Sequence, residues 1–237
     1  MNIREIVAGI MFSPLENWLP IQEAVAKLTG GPKWITVPIL GGRMRYSTSE
    51  KTYWLRDSFE KQNRLLLESM LTKDSVFYDV GANAGFWEVA LASRCNQIVA
   101  FEPVPANFQR LQEHVELNGL RNVVLVNAAV SERTGYLSFA EDGSMSHVTD
   151  EGPIQVPATS IDEFVSSHAP PSVAKIDVEG HAPQVLEGMS ETLRRFHPRL
   201  LIELHDEAEE RRVSEKLSEH AYQWRVAGRR YPRFAVA

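Results

Sequence analysis

From Val76 onward, short apolar runs alternate with stretches of helical periodicity, and this alternation constrains the fold more than any other feature of the chain. The runs are Val76–Val80, Gln97–Glu102 (stopped by Pro103), Val123–Ala128, Val173–Val178 and Leu200–Leu204. Between them lie a helix reaching about Arg94 and a helix with Phe108, Leu111 and Val115 on one face, closed near Gly119. Further on come a helix opened by the capping pair Ser160 and Glu163 and ending near His168, a helix over Pro183–Arg195, and a helix over Asp206–His220. Residues 130–158 read as irregular, with strand-like pieces at Tyr136–Phe139 and Ile154–Val156, and the tail around Gly228 to Pro232 reads as a closing hairpin. Runs this short and this apolar, spaced by helices, predict an α/β domain over residues 76–237 with a parallel sheet covered on both faces. Ligands of such sheets bind outside the carboxyl ends of the strands, where the strand order reverses.

Residues 1–75 form an N-terminal extension that is net positive, whereas the rest of the chain is net negative. The extension predicts one or two short helices over 2–29, broken at Pro14 and Pro20. A hairpin, Trp34–Leu40 and Arg43–Ser47, turns at Gly41-Gly42, and an amphipathic helix follows from about 50 to 71. Such a segment suits a lid or an oligomer contact; it allows a homodimer and leaves the oligomeric state open. A net charge of −6 argues against nucleic acid and against anionic membrane as partners. The single cysteine, Cys95, excludes an internal disulfide framework. The apolar stretch Ile6 to Phe12 is too short to span a bilayer, so a cytoplasmic location is expected.

The first strand runs into Gly81-Ala-Asn83-Ala-Gly85, a turn that lets backbone amides approach a ligand. A dinucleotide fingerprint places glycine where Asn83 stands, and Asp79 just before the turn would repel a pyrophosphate. Glu102 ends the second strand 21 residues beyond Gly81, the offset at which an acid grips both ribose hydroxyls. Two acids so placed select a nucleoside carrying a cationic amino acid, which is S-adenosylmethionine.

Asp79-Val-Gly-Ala-Asn-Ala-Gly85, Phe101-Glu-Pro103 with Asn107-Phe108, and Lys175-Ile-Asp-Val-Glu-Gly180 together resemble the FkbM-type family of S-adenosylmethionine-dependent methyltransferases. Leu186 to Met189 and Ile202-Glu-Leu-His205 fit the same pattern, and the likeness covers about residues 55–237. It implies a class I, Rossmann-like methyltransferase fold, with a seven-stranded, mostly parallel sheet, its last strand antiparallel, and helices on both faces. It also implies S-adenosyl-L-methionine as cofactor and a hydroxyl of a sugar or other small metabolite as methyl acceptor, making the chain an O-methyltransferase. Cofactor contacts fall on Glu60, Asp79, Gly81, Ala82, Asn83, Gly85, Glu102, Pro103, Asn107, Asn127, Ala128 and Asp177. The family often carries a glutamate where this chain has Ala182, a departure that bears on the acceptor more than on the cofactor. Asn127 reads equally as an adenine contact or as a turn residue.

Methyl transfer to a hydroxyl is an in-line displacement helped by a base. Asp177 and His181 are the candidates for that base, His181 being equally a residue that shapes the acceptor site. Glu203 and His205 lie on one side of their strand and with Asp177 would suit a divalent ion, but the expectation is metal-free, with the pair tying strand ends together. Arg225, Arg229, Arg230 and Arg233 read as a solvated turn, and Trp18, Trp34 and Trp54 as core or lid. Other readings stay open: a non-catalytic nucleoside-binding protein, or transfer to nitrogen. An NAD-linked oxidoreductase is disfavoured by Asp79 and the missing middle glycine.

Overall fold

In a computed structural model of the chain, residues 34–39, 42–47, 60–140, 147–148, 152, 154–228 and 233–237 are described. The helices expected over 2–29, most of the extension helix, and Arg229 and Arg230 lie outside them. Five of the apolar runs pair in parallel: β3 (Val76–Val80), β4 (Gln97–Phe101), β5 (Val123–Val126), β10 (Val173–Ile176) and β11 (Arg199–Leu204). With β12 (Arg225–Ala227) and β13 (Arg233–Val236) they form one sheet of order β12-β13-β11-β10-β3-β4-β5. The sheet is mixed, because β13 runs antiparallel to both of its neighbours.

Alternate side chains of each strand feed two cores. Phe77, Ile98 and Ala100 pack on one face with α1 (Lys61–Met70), α2 (Phe86–Leu91) and α3 (Pro105–Leu117). Tyr78, Val99 and Phe101 pack on the other with α5 (Ala182–Glu187), α6 (Ser190–Phe196) and α7 (Glu207–Glu219). The hairpin β1 (Trp34–Ile39) and β2 (Gly42–Ser47) forms, but Gly42 is the first residue of β2, paired with Ile39, rather than part of the Gly41-Gly42 turn expected. It is seated on α3: Asn118 Oδ1 accepts the Arg43 N–H at 2.7 Å, and His114 Nε2 accepts the Arg45 N–H at 2.9 Å.

Four further expectations need correction. The segment read as irregular is a second sheet: β6 (Ala129–Val130), β7 (Gly135–Ala140), β8 (His147–Val148) and β9 (Ile154–Thr159), in the order β6-β9-β7-β8 around Phe139, Val156 and Ala158. The run ending at Ala128 stops at Val126, because the Ala128 N–H folds back onto the Val126 carbonyl at 3.0 Å and hands the chain to this second sheet. The capping pair opens only a short helix, α4 (Ile161–Phe164): Ser160 Oγ accepts the Glu163 N–H, but the Glu163 carboxylate turns to Thr134. The helix expected over Pro183–Arg195 breaks into α5 and α6 at Gly188, where a Cβ would stand 1.9 Å from the Ser131 carbonyl oxygen.

Candidate active site

β3 is the first strand of the sheet in sequence and lies inside it, so the chain builds outward through β4 and β5 and then returns to lay β10 on the other side. The crevice between β3 and β10 is therefore the switch point, and a cavity opens there. One end is walled by Gly81, Asn83, Glu102, Pro103 and Asn107, with Ala128 beside them; the other by Asp177, Glu179 and His181. Phe139 reaches the same cavity from the second sheet.

The glycine turn is shaped by close approach. Gly81 has φ +87°, and a Cβ there would sit 1.9 Å from the Asp177 carbonyl oxygen, so only glycine lets β3 and β10 meet. Asn83 takes the left-handed region at φ +49°, which asparagine tolerates better than most side chains. Glu102 is 4% exposed and holds the turn to the next helix: Oε2 accepts the Asn83 N–H at 2.8 Å and Oε1 the Val104 N–H at 2.9 Å. Burial pushes its carboxyl up to about 7 against the pull of those two N–H groups and of Asn107. The lone-pair positions that these three groups leave open remain for a further donor.

Asp79 lies elsewhere. It is fully buried, off the cavity wall, and its Oδ1 accepts from Lys175 Nζ at 3.1 Å. The register of β10 on β3 pairs Lys175 with Asp79 directly. Lys175 also reaches Asp177 Oδ2 at 3.3 Å and the Gly81 carbonyl at 3.4 Å. Burial opposes its charge, but the carboxylates of Asp79, Asp177 and Glu203 hold it firmly protonated. Glu88 is also fully buried, and among the described residues neither of its oxygens nor Asp79 Oδ2 has a hydrogen-bond partner within reach; burial and the Asp79 charge raise its pKa well above the usual range, which favours the protonated form beside Asp79.

Of the remaining expected cofactor residues, Ala82 and Gly85 lie behind the wall, Ala82 as a buried residue and Gly85 as the N-cap of α2. Asn127 Nδ2 donates to the Glu102 and Pro103 carbonyls at 2.8 and 3.2 Å, the loop-tying alternative, and it is exposed and off the wall. Glu60, at the N-terminus of α1, bonds Asn63 and is raised by burial, with the charges of Lys175 and Asp177 close by. His181 lines the cavity, its Nε2 2.9 Å from Ser131 Oγ, and burial lowers its pKa, keeping the ring neutral.

Beyond Asp177, the strand ends gather more acid. Glu203 is pushed up to about 8 by burial and by the charges of Asp177 and Glu60. His205 Nε2 faces Glu179 at 3.2 Å and Glu203 at 3.7 Å, and its Nδ1 faces Glu209 at 3.2 Å. Burial opposes its charge, yet the Glu209 bond and the surrounding carboxylates raise it to about 9. Ligand atoms of Asp177, Glu203 and His205 lie within 4.8 Å of one another. Sequence reasoning missed the roles of Lys175, Glu88, Glu179 and Glu209; for Lys175 the signal was period two from Asp177 on one strand.

The fold and this crevice define the class first. Solved methyltransferases share the fold: a putative methyltransferase of Streptococcus mutans in complex with SAH (TM-score 0.51, 15% identity, 74% of this chain and 94% of that one) and M. jannaschii TYW2 in complex with AdoMet (TM-score 0.52, 13%, 87% and 84%). The structure of methyltransferase FkbM from Methylobacillus flagellatus also matches (TM-score 0.51, 18% identity, 70% of this chain), although this chain spans only 44% of its length. Residues 79–226 match the model of the methyltransferase FkbM domain, and the chain belongs to that family. Hexuronic acid methyltransferase AglP of Haloferax volcanii is 31% identical over 214 residues, 86% of each chain. This chain is a methyltransferase, and its cofactor is S-adenosylmethionine. No described helix is long and apolar enough to cross a membrane.

Proposed function

We propose that the chain is an O-methyltransferase whose acceptor is a hydroxyl of a sugar, with a hexuronic acid as the first candidate. The observation that supports this reading is the crevice at the switch point, with Glu102 and Asn107 at one end and Asp177 and His181 at the other. The residues suit the cofactor: a glycine turn that a Cβ would fill, a buried carboxylate with lone pairs to spare, and an acid at the end of β10. S-adenosylmethionine, when bound, supplies a methyl group on a positively charged sulfur. Glu102 accepts the ribose hydroxyls and Asn107 backs it, while the Gly81–Asn83 turn, Pro103 and Ala128 line the nucleoside. Asp177, with Glu60 behind it, faces the amino group. Asp79 acts one layer below, by holding Lys175 against Asp177 and the Gly81 carbonyl. His181, neutral and fixed by Ser131, takes the acceptor proton, with Asp177 as the other candidate. Residues 76–237 carry this chemistry and the preceding extension is its accessory; the AglP name supports the sugar.

The test joins calorimetry with S-adenosylhomocysteine to turnover on hexuronic acid glycosides. Micromolar binding of the product with transfer to a hydroxyl, located by mass spectrometry, is the expected result. Binding without transfer to any sugar would return the non-catalytic alternative, and transfer to an amine would overturn the oxygen acceptor.

A further inference from the structure

Glu179 stands on the cavity wall between Asp177 and His181, in a left-handed backbone conformation (φ +47°) that a glutamate adopts only when its surroundings enforce it. The methyl transfer set out above makes no use of it. Its Oε2 lies 3.2 Å from His205 Nε2. His205 is clamped from behind by Glu209, whose Oε2 lies 3.2 Å from Nδ1 and accepts the His205 N–H at 2.8 Å. Glu209 is 4% exposed, and its Oε1 accepts the Ala182 N–H at 3.3 Å. A carboxylate borne on α7 thus serves the backbone of the very residue where the family often has its own glutamate. The imidazole is thus held between a buried carboxylate on Nδ1 and the wall carboxylate on Nε2, an arrangement that fixes a group through a histidine.

We propose that Glu179 binds the methyl acceptor through a hydroxyl next to the one that is methylated, and that His205 and Glu209 are positioning residues that hold its carboxylate at the cavity wall. The surroundings suit that partner. Asp177 Oδ2 is engaged by Lys175, and His181 Nε2 by Ser131, so Glu179 is a third polar group on the acceptor side with a different partner. Asp177 and Glu179, the two carboxylates on this stretch of wall, together disfavour an anion and attract a neutral hydrogen-bond donor. An acceptor carboxylate is accordingly turned away from this wall, and a vicinal diol is turned toward it. The inference rests on the sugar reading above and names the edge of the sugar that is recognised.

The experiment uses the full chain, 4-nitrophenyl β-D-glucuronide and 4-nitrophenyl β-D-glucoside as acceptors, and the variants Glu179→Gln, His205→Gln and Glu209→Gln. Glu179→Gln raises KM for the glycoside about tenfold to a hundredfold, the worth of one charged hydrogen bond, while kcat and the affinity for S-adenosylhomocysteine stay within about threefold. His205→Gln and Glu209→Gln raise KM in the same direction by less. In nuclear magnetic resonance titration of the imidazole, which faces Glu179, Glu203 and Glu209, the His205 midpoint falls in both Glu179→Gln and Glu209→Gln. This midpoint is read whether or not Glu209→Gln retains full stability. Transfer with an unchanged KM in Glu179→Gln overturns the inference and leaves the sugar reading standing. A His205 midpoint unmoved by either variant overturns the clamp. A wild-type chain that binds S-adenosylhomocysteine but methylates neither glycoside overturns the sugar reading, and this inference with it.

Discussion

Asp79 and Glu102 end neighbouring strands, yet their carboxylates do different work, and the difference lies in a lysine 96 residues downstream. Read locally, Asp79 has no cation in reach and is free for a ligand's amino group. In the fold the β10–β3 register brings Lys175 against it, and the acid becomes half of a buried ion pair. Asp79→Asn therefore leaves Lys175 short of a counter-charge in the core, and should cost stability as well as cofactor affinity, on the order of 3–5 kcal/mol in urea denaturation. Glu88→Gln should cost little at pH 5, because an amide, like the protonated acid, places no second charge beside Asp79. Its sign with pH is fixed: the folded pKa of Glu88 is raised, so its wild-type contribution is retained at low pH and lost as pH rises from about 4.5 toward the folded value. The variant does not titrate, so its stability relative to wild type should improve from pH 5 to pH 8; a difference flat in pH would rule out a neutral Glu88. Glu102, by contrast, was legible as a site residue from its offset alone, and it does line the cavity. Its carboxyl is pushed up to about 7, and only the ionised form accepts from two ribose hydroxyls while holding both backbone N–H groups. Product affinity should thus fall about tenfold per unit below pH 7 and be level above it, by calorimetry at fixed ionic strength.

Strands were more legible than helix ends, for a physical reason. A strand buried on both faces must be apolar throughout, so its core reads directly, whereas a helix break is set by what packs against it. The periodicity of Pro183 to Arg195 runs unbroken through Gly188, and only the Ser131 carbonyl, brought in by β6, shows why the backbone parts there. The hairpin shows the same division: its two strands were readable, the register of its turn was off by one residue, and its seat was not readable. His114 makes that seat, 1% exposed, with Nδ1 2.5 Å from the Ala84 carbonyl in the glycine turn and Nε2 accepting the Arg45 N–H. With Nδ1 donating to the Ala84 carbonyl, Nε2 accepts the Arg45 N–H only in the neutral ring; once protonated it would turn to the Arg45 carbonyl, 3.2 Å away, and leave that N–H unbonded. Burial lowers its pKa, and a depressed histidine contributes stability above its ordinary value near 6.5 that is lost as pH falls through the folded value. Hydrogen exchange at the Arg45 amide should accelerate on going from pH 7 to pH 5 beyond its intrinsic change. His114→Ala should expose the same amide at neutral pH; protection equal to wild type would mean that the hairpin is held by other contacts.

At the scale of the whole molecule, the strand order sends every parallel strand's carboxyl end to one edge of the sheet, and acids collect there: Glu60, Asp79, Glu102, Asp177, Glu179 and Glu203. So much like charge at one edge needs compensation, and three sources are available: protons, cations of the chain, or a bound ion. Protons are used at Glu88 and, with its carboxyl up at about 8, at Glu203. Lys175 serves Asp79 and Asp177, and His205 serves Glu179, Glu203 and Glu209. A divalent ion at Asp177, Glu203 and His205 would have to displace the His205 proton, which the neighbouring carboxylates hold up to about 9, and compete with Lys175 for Asp177. Turnover at pH 7 should therefore be unchanged by an excess of EDTA and unmoved by added Mg²⁺ or Mn²⁺. If chelation abolished turnover and Mg²⁺ restored it, the metal would be the activator of the hydroxyl, and Glu203→Ala should then lose metal dependence and rate together. With the chain's own groups as the only source, the rate instead follows His181: its lowered pKa predicts a profile that rises on the acid side of about pH 6.5 and is level through neutrality, and that His181→Ala flattens while cofactor affinity is retained.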